Sequence, residues 1–328
     1  MRSDPPIAVV VPAHQAEGEI GDCIAAILAS GFTREEILVV DDGSRDRTGE
    51  IARGAGVRVL RNDTALRPAR ARNAGVAATA SDIVVFVDAD VLIAPGARNR
   101  IVRFFADHPD HVAIFGSYDA APPARQRAVS RYRNILHHWV HQTSRPEAAT
   151  FWTGFGAVRR AGFDAAGGLD PDWEDIEDVE LGLRMRAAGG RILLDRDLLA
   201  THLKDWTIRG MMRTDRRGRA VPWTRLLRSG RTGTGDLNLT GPRRFSAPLV
   251  ALLPFALLAG IVWTPALWIA LALFAGYLAL NARLFAYLAR VAGPGLALRS
   301  VAYHALHLVA ALAGYVQVRL FERSGPAR

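Results

Sequence analysis

Two aspartates separated by one small residue, Asp88-Ala89-Asp90, directly follow an apolar run at 83–87. Five consecutive apolar residues are typical of a strand that is buried on both faces, and open α/β sheets bind ligands beyond the carboxyl ends of their strands. Two carboxylates this close repel each other unless a cation lies beside them, and Mg²⁺ or Mn²⁺ carrying a diphosphate is a common solution. The alternative is a solvated pair of aspartates in a loop. The preceding strand favours the metal and diphosphate site.

A second polar turn, Asp41-Asp42-Gly43-Ser44, follows the strand predicted at 37–40. A carboxylate at this place can accept hydrogen bonds from a nucleoside base or ribose, and Gly43 permits a tight turn. Asp-Gly turns are common, so the signal comes mainly from the position of this one after the second strand. The start of the helix predicted at 69–80 is basic and could face a diphosphate, although a solvated helix face is an equal alternative. Its basic residues are Arg67, Arg70 and Arg72.

Glu177 and Asp178 form a second acidic cluster at the start of another predicted helix. Apolar residues recur there at helical spacing, at Val179, Leu183 and Ala187. Acidic residues in a first turn complement the helix dipole, and this effect alone would account for one of them. Several acids near an Asp-x-Asp cleft indicate that one is a general base, which takes a proton from an attacking hydroxyl.

Strand and helix patterns alternate through the first half of the chain, which predicts βαβ units and a mainly parallel sheet. The predicted strands lie at 7–11, 37–40, 57–60, 83–87 and 112–116, and the helices at 17–30, 48–53, 69–80 and 126–142. His137 and His141 lie four residues apart in the last helix, but no carboxylate or thiolate completes a known zinc spacing. We expect that helix to lie near an acceptor or a membrane interface. The α/β domain is predicted to span 1–240.

The composition limits the classes of partner that are expected for this chain of 328 residues. Its formal net charge is +9, and Lys204 is the only lysine among 41 basic residues. No basic stripe interleaved with aromatic residues occurs, so we expect no nucleic-acid partner, and anionic lipid headgroups and anionic substrates fit the charge better. The single cysteine, Cys23, excludes an intrachain disulfide and is typical of a reducing compartment. The polar N-terminus does not resemble a cleavable signal peptide.

Charged residues nearly vanish after Ser246, which predicts a membrane-embedded helical region at 241–328. Helices are expected at about 247–263 and 266–288, with a third candidate at 300–320 that polar residues interrupt. A buried soluble hairpin is the alternative, but the first two segments have no polar face. Arginines flank both sides of the hairpin, which predicts a multi-pass protein of the inner membrane with a cytoplasmic catalytic domain. These arginines are Arg243, Arg244, Arg283, Arg290 and Arg299. The sequence does not decide whether the third segment crosses the membrane.

In their order and spacing, the motifs resemble those of membrane-anchored, non-processive family 2 glycosyltransferases of GT-A fold. The resemblance runs from about residue 7 to residue 238. It is carried by Val11-Pro12-Ala13-His14, Val40-Asp41-Asp42-Gly43-Ser44, Ala71-Arg72-Asn73-Ala74-Gly75, Asp88-Ala89-Asp90, Phe151-Trp152-Thr153-Gly154 and Ile176-Glu177-Asp178-Val179.

The resemblance implies a role for individual residues. Asp178 would be the catalytic base, with Glu177 as the second candidate, and Asp90 would bind the metal with His202 as a further ligand. The donor nucleotide and sugar would be bordered by Pro12, Asp42, Arg72, Asp88, Thr153 and Gly154.

One departure from the family concerns chain elongation. Processive members carry a Gln-x-x-Arg-Trp motif, and this chain has Arg216-Arg217-Gly218-Arg219-Ala220-Val221-Pro222-Trp223-Thr224 instead. This stretch resembles a motif of non-processive, membrane-anchored members. Arg216, Arg219 and Trp223 are assigned to the donor diphosphate and to a lipid or sugar, and polymerisation of a long glycan is not expected.

The resemblance implies a metal-dependent, inverting transfer of sugar from a nucleotide sugar to a hydroxyl of a lipid or lipid-linked acceptor. UDP is favoured over GDP as the nucleotide, and the choice between them stays open. A polyprenyl-phosphate sugar synthase is the nearest alternative, and a non-catalytic membrane scaffold of the same fold is a further one. A nucleotidyltransferase would carry a Gly-rich loop with a lysine near the N-terminus. A Rossmann dehydrogenase would carry G-x-G-x-x-G after the first strand, and neither motif is present.

Overall fold

The computed structural model describes residues 5–173, 175–230 and 245–322. The chain forms two compact units, the first from Met1–Pro123 and His141–Lys204 and the second from Ala124–Val140 and Asp205–Arg328. This division differs from the boundary predicted at residue 240. The segments at 124–140 and 205–230 belong with the C-terminal helices because their apolar side chains share a core with them.

A nine-stranded sheet forms the centre of the first unit. Its strands are β1 (Ile7–Ala13), β2 (Ile37–Asp42), β3 (Arg58–Asn62), β4 (Ile83–Val87), β5 (Val91–Ile93), β6 (His111–Tyr118), β7 (Glu147–Ala148), β8 (Phe155–Arg159) and β9 (Arg191–His202). Their spatial order is β3-β2-β1-β4-β8-β6-β9-β5, with β7 also paired to β9.

The direction of the strands changes along the sheet. Strands β1 to β4 are mutually parallel, as the alternating pattern predicted. Strand β8 is antiparallel to both of its neighbours, and β5 and β7 are antiparallel to β9, so the sheet is mixed rather than mainly parallel. An apolar run buried on both faces has the same appearance in either direction, which is why the sequence pattern did not reveal the reversal.

Twelve α-helices accompany the sheet in the described part of the chain. They are α1 (Ile20–Ala29), α2 (Thr48–Gly54), α3 (Pro68–Ala77), α4 (Ala97–Asp107), α5 (Ala128–Thr143), α6 (Arg160–Ala165), α7 (Glu177–Ala187), α8 (Ile208–Arg213), α9 (Val221–Arg228), α10 (Ser246–Val262), α11 (Ala266–Ala292) and α12 (Pro294–Val316). Two π-helical segments, Thr214–Ala220 and Gln317–Phe321, follow α8 and α12.

Alternate residues of the central strands supply two separate cores. Val9 and Val85 point to the face covered by α1 and α4, while Val10 and Phe86 point to the opposite face with α3 and α7. Helix α3 lies especially close to the sheet, because a Cβ on Gly75 would lie 2.4 Å from Cγ1 of Val10 and 3.0 Å from Cγ2 of Val40. The glycine therefore sets the depth at which α3 delivers its side chains to the sheet edge.

The second unit is helical in the described residues. Its three C-terminal helices, α10, α11 and α12, match the segments predicted at 247–263, 266–288 and 300–320. By length and composition, α11 and the stretch Pro294–Phe321 are long and apolar enough to cross a membrane, while α10 has 17 residues. The predicted flanking arginines Arg243 and Arg244 lie outside the described residues.

The substitution Gly75→Ala should destabilise the first unit, because its Cβ would force α3 away from two core valines. We expect a loss of about 1–3 kcal/mol in the free energy of unfolding, as for other overpacked core positions. Urea unfolding checks this. Gly54→Ala is the matched control, because a Cβ at that exposed helical position meets nothing within 4 Å. Equal stability of the two variants would contradict the close contact of α3.

Candidate active site

The Asp-x-Asp pair directly follows β4, as the sequence predicted, and precedes the short strand β5, which was not predicted. The backbone N–H of Asp88 donates to the carbonyl of Gly154 at 3.1 Å, and the carbonyl of Asp90 accepts from the N–H of Leu203 at 2.8 Å. The side chains of both aspartates are about one third exposed, at 31% and 30%. The turn is therefore held through its backbone, which leaves the carboxylates accessible for chemistry.

Arg72 on α3 joins this turn to the acidic helix α7. Its Nη2 donates to the carboxylate of Asp88 at 2.6 Å, and its Nη1 donates to that of Glu177 at 2.8 Å. The guanidinium is buried, with only 6% of the side chain exposed. Its predicted contact with a donor diphosphate stays a prediction, while the two ion pairs give it a structural role that the sequence did not indicate.

Asp178 lies beside Glu177 in the first turn of α7, where both acids were predicted. One carboxylate oxygen accepts from the backbone N–H of Thr153 at 3.2 Å and approaches its hydroxyl at 3.5 Å, and the other accepts from Val179 N–H at 2.7 Å. Helix α7 comes this close because a Cβ on Gly182 would lie 2.5 Å from the nitrogen of Phe151. The two predicted segments, Trp152–Thr153–Gly154 and Glu177–Asp178, therefore meet.

Glu177 and Asp178 hold their protons more tightly than ordinary carboxyl groups. Burial raises the pKa of Glu177 to about 7, while the nearby Arg72 opposes this shift and Asp178 adds to it. Burial likewise raises the pKa of Asp178, against the effects of Arg72 and of the Thr153 N–H. The same carboxylates raise the pKa of Arg72, so it stays a cation. The site thus places one fixed positive charge among three carboxyl groups.

Asp90 and His202 form a second pair at the open end of the turn. His202 closes β9, and its Nε2 lies 3.5 Å from Oδ2 of Asp90. An oxygen and an imidazole nitrogen at this spacing suit two adjacent positions around a small divalent cation. No group of three or more His, Cys, Asp or Glu side chains capable of holding a metal occurs in the described residues. A cation here would need additional oxygen ligands from a bound molecule.

Two aromatic side chains support this pair: Trp152, which belongs to one of the sequence motifs, and Tyr118, which the sequence did not indicate. The ring of Tyr118 packs edge-on against His202 at 5.5 Å and lies 4.7 Å from the ring of Trp152. A Cβ on Gly154 would lie 2.4 Å from the indole nitrogen of Trp152, so the glycine leaves room for that ring. Tyr118 is the last residue of β6 and lies two residues beyond the strand predicted at 112–116.

The turn predicted to bind a nucleoside is held by a neighbouring loop. The carboxylate of Asp42 is buried and accepts from Asn62 Nδ2 at 2.7 Å and from the backbone N–H groups of Leu66 and Arg67 at 2.9 Å. Gly43 has φ +70, and Arg67 has φ +76, a conformation that non-glycine residues rarely adopt and that is common at binding sites. Pro12 pairs with Val40 on the adjacent strand. Their contacts with a nucleoside stay predictions.

Two further polar residues stabilise the loop before α7. Asn73 clamps Leu169, donating to its carbonyl at 2.7 Å and accepting from its N–H at 3.0 Å. Arg184 donates to the carbonyl of Gly168 at 2.7 Å and pairs with the buried Glu180. The sequence motifs around Asn73 and Arg184 therefore help to hold α7 in position, in addition to any part they have in its chemistry.

The predicted diphosphate or lipid ligands of the arginine-rich motif lie in the second unit. Arg216 donates to Gln317 Oε1 at 3.0 Å, and Arg219 donates to His137 Nε2 at 2.8 Å. Trp223 lies half-buried on α9. Their roles stay predictions. The contact of His137 with an arginine also disfavours the two-histidine metal site considered from the sequence.

Solved structures define the class of fold. The chain resembles the mannosyltransferase PcManGT from Pyrobaculum calidifontis, solved in complex with GDP-Man and Mn²⁺, with a TM-score of 0.59 and 21% identity. The match covers 95% of this chain and 87% of that chain. The mixed sheet with its Asp-x-Asp turn therefore has the GT-A-like fold, as expected.

Sequence comparisons identify the family. Residues 8–167 match the family described as glycosyl transferase family 2, and this part of the chain belongs to that family. The pre-mycofactocin glycosyltransferase of Mycobacterium tuberculosis is 28% identical over 188 residues, 53% of this chain and 39% of that protein. The 4,4'-diaponeurosporenoate glycosyltransferase of Staphylococcus haemolyticus is 36% identical over 129 residues, 34% of each chain. The matches thus span about two fifths or less of these relatives.

Replacing Arg72 by methionine should destabilise the protein in a pH-dependent way. The folded state binds protons at Glu177 and Asp178 more tightly than the unfolded state, so stability falls as pH rises toward about 7. Loss of the cation raises both pKa values further and extends this fall to higher pH. We expect a loss of roughly 3–5 kcal/mol at pH 8 and a much smaller one at pH 5.

Thermal unfolding at the two pH values measures this effect. Arg70→Met is the matched control, because Arg70 is exposed on the same helix. Equal losses for Arg72→Met at pH 5 and pH 8 would contradict the charge-balancing role.

Proposed function

We propose that this protein is a metal-dependent, inverting glycosyltransferase that moves a sugar from a nucleotide sugar to a hydroxyl of a lipid or lipid-linked acceptor. The observation that carries this proposal is the pair of hydrogen bonds from Arg72 to Asp88 and Glu177. They join the turn assigned to the donor with the helix assigned to the base at one edge of the sheet. Both halves of a sugar-transfer reaction therefore have side chains there.

The donor side comprises Pro12, Asp42 and Asp88 around the nucleoside and Thr153 and Gly154 beside the sugar. Asp90 and His202 would hold a divalent cation, Mg²⁺ or Mn²⁺, which neutralises the charge of a leaving diphosphate. The GDP-Man and Mn²⁺ of the Pyrobaculum calidifontis complex support both the donor class and the cation. UDP is the proposed nucleotide, and GDP is the alternative.

Asp178 is the proposed general base. The N–H of Thr153 orients one of its carboxylate oxygens, and burial raises its pKa, which makes it a stronger proton acceptor than an ordinary aspartate. Glu177 is the poorer candidate because its carboxylate pairs with Arg72. As the acceptor hydroxyl gives its proton to Asp178, its oxygen bonds to the anomeric carbon. The bond from that carbon to the diphosphate breaks on the opposite face, which inverts the configuration.

A lipid or lipid-linked acceptor is proposed from the second unit. Its helices α10, α11 and α12 expose large apolar side chains, and membranes are among the partners that such surfaces bind. The relative that acts on 4,4'-diaponeurosporenoate supports an apolar acceptor. Arginines on both flanks of the apolar stretch support a catalytic unit on the cytoplasmic face of the inner membrane.

The substitution Asp178→Asn should lower turnover by about 10²- to 10⁴-fold, because the amide cannot accept the proton. Binding of the nucleotide sugar, measured by calorimetry, should stay nearly unchanged. Asp90→Ala should lower turnover and also abolish the stimulation by Mn²⁺. Asp172→Asn, at an exposed acid before α7, is the control and should keep full activity.

The assay combines detergent-solubilised protein, a panel of nucleotide sugars and a membrane lipid extract, with nucleotide release and new glycolipid as readouts. Full activity of Asp178→Asn would overturn the base assignment and favour a polyprenyl-phosphate acceptor, whose anionic oxygen needs no base. If no nucleotide sugar is turned over by the parent protein, the catalytic proposal fails and a non-catalytic scaffold is favoured.

A further inference from the structure

The hairpin of α10 and α11 contains the longest uncharged stretch of the chain. From Phe245 to Ala282 the sequence has no charged residue, and the first one that follows is Arg283. Helix α10 and the part of α11 before Arg283 are each about 25 Å long at 1.5 Å per residue. This length is close to the hydrocarbon thickness of about 30 Å in a bilayer.

In this hairpin small residues lie between the helices and large apolar residues point outward, which is the opposite of the arrangement in a water-soluble core. Small residues lie where the two helices touch: a Cβ on Gly260 would lie 2.3 Å from the Leu267 side chain, and Ala270 is buried. Large side chains point outward, with Phe255 exposed to 69% and Trp268 to 75%. Close contact through small residues with large apolar residues outside is typical of helices surrounded by lipid.

A layer of polar contacts lies at the open end of the hairpin. Asn281 Nδ2 donates to Ser246 Oγ at 2.9 Å, and Nε2 of His304 donates to Asn281 Oδ1 at 3.1 Å. Nδ1 of the same histidine lies 2.8 Å from the Tyr132 hydroxyl. This layer connects Ser246 and Asn281, at the two ends of the hairpin, to α12 and α5. The apolar part of the hairpin lies beyond this layer.

Helix α12 has different surroundings in its second half. Its His307 donates to the buried Asp215 at 2.9 Å, and Gln317 accepts from Arg216 at 3.0 Å. Further along, Glu322 pairs with Arg225 at 2.7 Å. A Cβ on Gly314 would lie 2.9 Å from the carbonyl oxygen of Arg216, so the two backbones are in close contact. From His307 to Glu322, the second half of α12 and the turn after it are thus fastened to the segment at 207–228.

That segment is strongly basic. It carries Arg209, Arg213, Arg216, Arg217, Arg219, Arg225 and Arg228. Most of these side chains are exposed, and each arginine at the centre of a bilayer costs about 2.5–3.5 kcal/mol on insertion scales. If α12 crossed the membrane, it would have to separate from this segment or carry it into hydrocarbon.

We propose that the hairpin at 246–282 is the part of the second unit that enters the bilayer, and that α12 does not cross it although its composition would allow a span. The inference rests on the membrane attachment proposed above. The remainder of α11 packs with α12 and α5, where Leu284, Leu288 and Leu296 share a core with Tyr132. Arg283, Arg290 and Arg299 are exposed around this core and face water or headgroups.

A matched pair of substitutions tests which element enters the lipid. Phe255 lies at the middle of α10, and Leu298 on α12 is as exposed, at 76% against 69%. Flotation of the full chain with neutral phosphatidylcholine vesicles measures partitioning without a contribution from lipid charge. Phe255→Asp should lower the partition coefficient at least tenfold, and Leu298→Asp should change it less than twofold. An equal or larger loss for Leu298→Asp would overturn the proposal.

Cysteine labelling tests the path of the chain without relying on those variants. Cys23 is buried, so a membrane-impermeant maleimide should leave the parent protein unlabelled. Arg213→Cys and Leu320→Cys place single exposed thiols before the hairpin and after α12. In sealed vesicles both should react from the same side. If Leu320→Cys reacts only from the side opposite to Arg213→Cys, α12 crosses the membrane and the proposal fails.

A second copy of the chain is the competing occupant of the apolar hairpin. A parent protein that is dimeric without detergent and does not float with vesicles would overturn the lipid assignment. Sugar transfer is measured separately in detergent, so loss of activity with unchanged labelling would count against the catalytic proposal alone.

Discussion

The buried guanidinium of Arg72 is the interaction on which the candidate site depends. Three acidic side chains, Asp88, Glu177 and Asp178, converge at one edge of the sheet, and their mutual repulsion would oppose folding without a cation among them. The arrangement has its own cost, because Nε of Arg72 is buried without a hydrogen-bond partner in the described structure. The carboxylates nevertheless hold the Arg72 side chain in this position, and the close packing of α3 at Gly75 brings Arg72 within reach of them.

The same ion pairs give Glu177 and Asp178, which are neighbours in the first turn of α7, different roles. Glu177 neutralises Arg72 and so takes part in the charge balance, while Asp178 is oriented by the backbone of Thr153. Neighbouring residues on one helical turn can thus have different roles, because the helix directs them to different partners. The turn of Asp88 and the helix that carries the proposed base also become dependent on each other, since Arg72 touches both Asp88 and Glu177.

The sequence predicted the site better than it predicted the boundaries around it. The strand before Asp88 and the helix that begins at Glu177 were identified from local apolar periodicity, and their nearness was expected from the family resemblance. The partnership of Arg72 with Glu177 spans 105 positions and leaves no local pattern. The antiparallel β8 and the packing of α5 with the C-terminal helices were missed for the same reason, since both are decided by distant contacts.

What polar residues in an apolar helix indicate about its location depends on the side chains that they contact. From the sequence, His304, His307 and Gln317 only interrupt a possible membrane span. In the folded unit each has a partner, and two of those partners, Asp215 and Arg216, belong to an arginine-rich segment. Bundles inside a membrane also satisfy buried polar groups, so satisfaction alone does not decide the location. The exposed arginines on the partner segment are the basis of the proposal that α12 stays outside the bilayer, because moving their charge into lipid with α12 would have a large free-energy cost.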